Sequence, residues 1–255
     1  MNEILSVFKS KQKLLHIGIC TLIFIGMAVP FKVMVLIEGF TEVRPVNAVP
    51  VVAGLIFGPA GAWGCAIGNL IADLFGTFSK ASVLGFVGNF IAAYLPYKLW
   101  HLTGREEKPN VKSHKNIVKY ILISTIAALA TAILIACGLD VLFGMWMPRI
   151  FWIIFLNDMG FPILLGLPVF IVLTSADSKI EITMPENIQK QRGKWYARTK
   201  YITLISLLVS ELSLLLMISL RMQTSASPVM YITGGIFVVS LAGFVAIGNI
   251  NLKVG

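Results

Sequence analysis

RPVNAVPVVAGLIFGPAGAWGCAIGNLIADLFG, residues 44–76, is the stretch on which the reading of the fold turns. It holds two apolar segments, 46–58 and 60–76, joined at Gly58-Pro59. The first falls well short of the roughly 20 residues that an α-helix needs to cross a bilayer. The spacing therefore predicts a tight hairpin of helices, one of them short. Its two open ends carry Arg44 and Asn47 on one side and Asn69 and Asp73 on the other. An arginine, two amides and a carboxylate gathered at one end of a greasy hairpin are costly in lipid, and they call for a reason.

The rest of the chain supplies the setting. Of 255 residues, 57% are hydrophobic and 13% charged, about half the charged share of a soluble domain. Mean hydropathy is +0.85. Further apolar segments are read at 14–37, 82–100, 117–139, 150–174, 201–220 and 229–250, giving eight in all. Barrel-type alternation is absent, so buried backbone groups demand helices. The expected class is an all-α integral membrane protein, multi-pass, in the cell membrane. Lys9, Lys11 and Lys13 precede the first apolar run as in a signal peptide, but that run continues to Ile37 and is read as a spanning helix bent at Pro30.

Lysine and arginine give the orientation. They crowd into 9–13, 98–119 and 179–200, with Lys253 at the end, whereas Arg44, Lys80, Arg149 and Arg221 fall on the other side. By the positive-inside rule both termini are cytoplasmic. The net charge of +9 belongs to these loops and calls for no nucleic acid. Cys20, Cys65 and Cys137 lie singly in apolar segments, and His16, His101 and His114 lack ligand spacing, so neither a disulfide framework nor a metal or other cofactor is expected.

This orientation sends most strongly polar residues of the first six segments to the outer half. Arg44 and Asn47 sit at the mouth. Asn69 and Asp73, four apart, share one helix face. Asn89 lies about 10 Å down its helix at 1.5 Å per residue. In LDVLFGMWMPRIFWIIFLNDMGFP, residues 139–162, Trp146 and Arg149 lie at the outer end, with Asn157 and Asp158 about 12–14 Å below on the same rise. The inner half is expected to be almost free of such groups. Singly, each residue reads equally well as scaffold: Arg44 with Asp73 as a tie, Asn69 and Asn89 as interhelical glue. Together, from separate segments, they predict a substrate recess of Arg44, Asn47, Asn69, Asp73, Asn89, Trp146, Arg149, Asn157 and Asp158. Trp63, Trp146, Trp152 and Tyr94 are candidates to stack on a ring, or else to anchor and pack. Charges of both signs leave the ligand's charge open. Small residues at Gly64, Gly68, Ala72 and Gly76, and at Ser124, Ala128, Ala132 and Ala136, predict close helix packing within the chain, with an intermolecular contact as the alternative.

On residues 44–76 and on GFVGNFIAAYLPYKLW, residues 85–100, the chain resembles the substrate-binding S component of energy-coupling factor (ECF) transporters, bacterial six-helix proteins that capture vitamins and other micronutrients. The resemblance covers about residues 14–178. It implies a six-helix core over 1–178, a basic cytoplasmic loop at 179–200, and an additional transmembrane hairpin over 201–255. It also implies capture of a micronutrient from outside beneath caps at 38–50, 77–81 and 140–149. Delivery would follow toppling against a transmembrane coupling protein with two cytoplasmic ATPases. One departure stands out: many S components dock through an alanine-x-x-x-alanine stripe on the first helix, and LLHIGICTLIFIG, residues 14–26, has none.

The chain has no GxxxxGK[ST] phosphate loop, consistent with an external motor. The alternative is a membrane sensory module working with a separate cytoplasmic partner. Enzymatic chemistry by Asp73, Asp158 and Glu211 is disfavoured, since nothing brings Glu211 to the other two.

Overall fold

The computed structural model describes residues 3–37, 41–76, 78–103, 108–145, 148–175, 178–184 and 194–223, with isolated positions from 232 to 243. The chain divides into two compact units, Glu3–Met184 and Pro185–Gly255, the latter joined by Met1–Asn2.

The first unit opens with a short helix, α1 (Glu3–Ser6), and one 3-10 turn. Helix α2 (Lys11–Ala28) starts where the Ser10 hydroxyl accepts from the Lys13 amide. It does not reach Ile37. Proline at position 30 offers no amide hydrogen and clashes with the preceding turn, so the chain passes through a 3-10 turn, Val29–Phe31, and leaves the helix. The β-branched residues beyond it pair instead: β1 (Val35–Ile37) runs antiparallel to β2 (Thr41–Glu42). The class is all-helical as expected, with this one small ribbon added. Everything else described in regular structure is helical.

The hairpin forms as the sequence demands. Helix α3 (Ala48–Phe57) ends at Gly58, and α4 (Pro59–Asp73) starts with Pro59 at its first position. Gly58 has φ +55°, a conformation open to glycine, and a Cβ there would also lie 3.0 Å from the Tyr97 ring. Glycines let the helices touch. A Cβ on Gly54 would fall 1.8 Å from the Ala93 carbonyl oxygen, and one on Gly61 2.2 Å from that of Ala53. On Gly64 and Gly68 it would strike Cys20 and Phe24 of α2 at 2.5 and 2.7 Å. The stripe from Gly64 to Ala72 is thus internal packing; Gly76 has nothing within 4 Å. Ser124, Ala128, Ala132 and Ala136 are likewise buried.

Helix α5 (Ala81–Thr103) packs on α3, α4 and α6. Helix α6 (His114–Phe143) is stopped by left-handed Gly144. Helix α7 (Pro148–Phe161) continues through a π-turn, Pro162–Gly166, into α8 (Leu167–Leu173). At that turn the Tyr120 hydroxyl donates at 3.0 Å to the Pro162 carbonyl, which also accepts the Leu167 amide. Lys11–Phe31, His114–Phe143 and Arg149–Leu173 are long and apolar enough to cross a membrane.

In the second unit, α9 (Lys194–Gln223) carries the apolar stretch Leu204–Leu220, and the Ser206 hydroxyl donates to the Ser240 carbonyl at 2.9 Å. Most of the segment expected at 229–250 lies outside the described residues.

Candidate functional site

The site is built around the turn that feeds α3. Pro45–Asn47 forms a 3-10 turn with Arg44 before it, so the chain enters α3 from the side of the bundle. Two helices hold that turn. From α7, the Asn157 side-chain oxygen accepts the Arg44 backbone amide at 3.2 Å, and the Asp158 carboxylate accepts the Asn47 side-chain amide. From α4, the Asn69 oxygen accepts the Arg44 guanidinium at 2.6 Å. The Asn69 amide then donates to Asp73 at 3.3 Å across one helical turn. Lys32, just past the end of α2, meets the other Asp73 oxygen at 3.2 Å, both side chains being nearly buried.

Beside this network lies a recess that opens to solvent. Arg44, Asn47, Asp73, Asn89, Asn157 and Asp158 line it. Six of the nine residues expected from the sequence thus share one hollow. Asn69 is 1% exposed and stands behind the wall, holding Arg44. Gly85 makes room for it, since a Cβ there would lie 2.8 Å from the Asn69 nitrogen. Arg149 is exposed at the start of α7 and does not line this recess. Trp146 lies outside the described residues.

The stacking candidates fare differently. Trp63 donates to the Ile4 carbonyl at 2.9 Å and packs on Phe8 and Phe90; Tyr94 is buried beside Lys98; Trp152 is exposed. None of these three lines the recess. Its apolar lining comes instead from Ile135 and Leu139 of α6 and Ile150 and Ile154 of α7. Sequence reasoning missed these four, and also Ser79, Ser82 and Thr131 in the lining. Lys32 carried a signal, as a lone cation in an apolar run. The hydroxyls and aliphatics look like ordinary helix residues and gave none.

The expectation of a nearly apolar opposite half is corrected too. At the far end of α5, Lys98 meets Glu3 at 2.6 Å, and the Tyr97 hydroxyl donates to the same carboxylate. His101 and Asn116 are buried nearby in sequence and on the adjoining helix. Lys119 donates to the Trp100 carbonyl and lies 3.9 Å over its ring. The N-terminal helix was not foreseen, and it is this helix that brings Glu3 there. Glu211 lies in the second unit, buried, with neither oxygen bonded among the described residues. Among the described residues no group of three or more His, Cys, Asp or Glu side chains gathers to hold a metal.

Chemically, the recess offers donors, acceptors and aliphatic side chains. It is suited to holding a small polar molecule. Residues 14–175, more than half of the chain, match the family described as QueT transporter. No curated protein and no solved structure matches the chain.

Proposed function

The chain belongs to the QueT transporter family, a family of transporters and not of enzymes, and from that premise we propose that it is the substrate-capture S component of an ECF-type importer for a queuosine precursor. Queuosine precursors are substituted 7-deazaguanine bases: flat, small and edged with donors and acceptors. The observation that carries the reading is the shared recess, lined by polar side chains from the turn before α3 and from α4, α5 and α7 together with aliphatic side chains of α6 and α7. Such a mixed lining suits a small heterocycle whose faces meet apolar side chains and whose edges meet polar ones.

In this reading the recess faces outward and both termini are cytoplasmic, as the lysine and arginine distribution indicates. Residues 1–178 form the capture core, 179–200 a basic cytoplasmic loop, and 201–255 an appended transmembrane hairpin. Import draws on a separate transmembrane coupling protein and its cytoplasmic ATPases.

Calorimetry on the purified full-length protein in detergent tests this. Titration with 7-deazaguanine should give saturable binding, and Arg44→Ala and Asn157→Ala should each weaken it at least about tenfold, the loss of one charge-assisted or buried hydrogen bond. Absence of binding, or binding indifferent to both substitutions, overturns the proposal.

A further inference from the structure

The two carboxylates of the recess are not equivalent. Asp73 is already engaged, with Lys32 at 3.2 Å on one oxygen and the Asn69 amide at 3.3 Å on the other. Asp158 is half-buried on the α7 wall beside Ile150 and Ile154. The Asn47 amide holds one of its oxygens. Among the described residues no lysine, arginine or histidine nitrogen lies within 4.0 Å of it. A carboxylate so placed among aliphatic side chains gains most from N–H donors brought by a ligand. Arg44, which also lines the recess, supplies donors of its own.

The charges decide what kind of ligand suits this pair. Among the described residues Lys32 and Arg44 balance Asp73 and Asp158, two against two, and a neutral ligand leaves these four charges matched. Arg44 and Asp158 together suit a neutral edge that offers an acceptor next to two donors. A guanine-type edge does so: its carbonyl oxygen suits a guanidinium, and its ring N–H and exocyclic amine suit a carboxylate. An adenine-type edge reverses that order.

We infer that Asp158 is the residue that determines specificity, accepting the ring N–H and exocyclic amine of a guanine-type base while Arg44 meets the carbonyl. Asn47 orients Asp158, and Asn69 orients Arg44. Asp73 is a positioning residue that anchors Asn69. This rests on the reading of the chain as a queuosine-precursor binder.

The experiment compares 7-deazaguanine with 7-deazahypoxanthine, which lacks only the exocyclic amine, and with 7-deazaadenine. All three are titrated into the wild-type protein, Asp158→Asn and Asp73→Asn. In the wild type, loss of one donor to a carboxylate should weaken binding about ten- to hundredfold, and 7-deazaadenine should bind more weakly still. Asp158→Asn should collapse the deazaguanine-to-deazahypoxanthine ratio to within about threefold, whereas Asp73→Asn should weaken both bases and keep the ratio. Equal wild-type affinities for deazaguanine and deazahypoxanthine overturn the assignment without need of a variant. So does a ratio that survives in Asp158→Asn or vanishes in Asp73→Asn. Failure of every base to bind wild-type protein overturns the family-based reading and this one with it.

Discussion

Replacing Lys32 by methionine keeps the length of the side chain and removes its charge. In the structure the Lys32 ammonium sits 3.2 Å from Asp73, with side-chain exposures of 8% and 9%. Removing one partner of a buried pair strands the other, and such losses run to about 3–5 kcal/mol. Here the low end applies, because Asn69 still donates to Asp73 and the recess admits water. A loss of about 3 kcal/mol corresponds to a drop of roughly 6–12 °C in melting temperature for a chain of this size. Asp73→Asn should cost less, about 1–2 kcal/mol, because the stranded lysine has a flexible stem with which to reach water. In the double variant neither charge is left buried, so its cost should fall short of the sum of the single costs by about 2 kcal/mol. The assay is thermal unfolding in detergent followed by tryptophan emission, on all four proteins at one lipid and salt composition. If the single effects add to within about 0.5 kcal/mol, the pair is not coupled and the network drawn around Asp73 is wrong.

Two further substitutions probe the packing and the opposite end of the bundle. Gly54→Ala would bring a Cβ to 1.8 Å from the Ala93 carbonyl oxygen, so α3 and α5 must part, at a cost of about 1–3 kcal/mol; Gly18→Ala, with nothing within 4 Å, should be neutral or stabilising by up to about 1 kcal/mol. Equal melting temperatures for these two variants would contradict the packing described. Glu3→Gln should loosen α1 from Lys98 and expose Trp63, whose ring packs on Phe8 and whose N–H bonds Ile4. Its emission should shift to the red while affinity at the recess changes less than twofold, and an unmoved spectrum would mean that Glu3 does not hold the helix.

What the sequence made legible follows from what each residue type costs. A polar group in an apolar run is expensive wherever it goes, so Arg44, Asn47, Asp73, Asn89, Asn157 and Asp158 announced themselves, and helix pitch placed them at a common level. Arg149 stands at a helix start where exposure is cheap and does not line this recess. Lys98, placed on the cytoplasmic side by the charge distribution, is buried, because a segment before the first span supplies Glu3. That contact is separated by 95 positions and leaves no periodic trace. The ribbon at 35–42 was missed because a β-branched run after a proline continues the hydropathy of the helix before it, while its backbone has already left the helix.

The recess has its cause in the shortness of α3. At 1.5 Å per residue, ten residues from Ala48 to Phe57 rise about 15 Å, half the thickness of a hydrocarbon core. Its neighbours run longer: α5 has 23 residues and α6 has 30. Beyond the start of α3, therefore, the turn from Arg44 to Asn47 lines the recess in place of a further helical turn, and an irregular turn carries backbone groups that no helix ladder satisfies. Asn157 answers one of them directly, by accepting the Arg44 amide. The polar side chains of α7 and α4 are thus needed twice, once to satisfy the turn and once to line the vacancy that the missing half-helix leaves. Extending α3 to full length would remove both needs together. The glycines at 54, 58 and 61 prevent a compensating shift, since they seat α3 against the Ala93 carbonyl, the Tyr97 ring and α4 with no slack. The tight hairpin at one end and the polar hollow at the other are in this sense a single structural decision, written in residues 44–76.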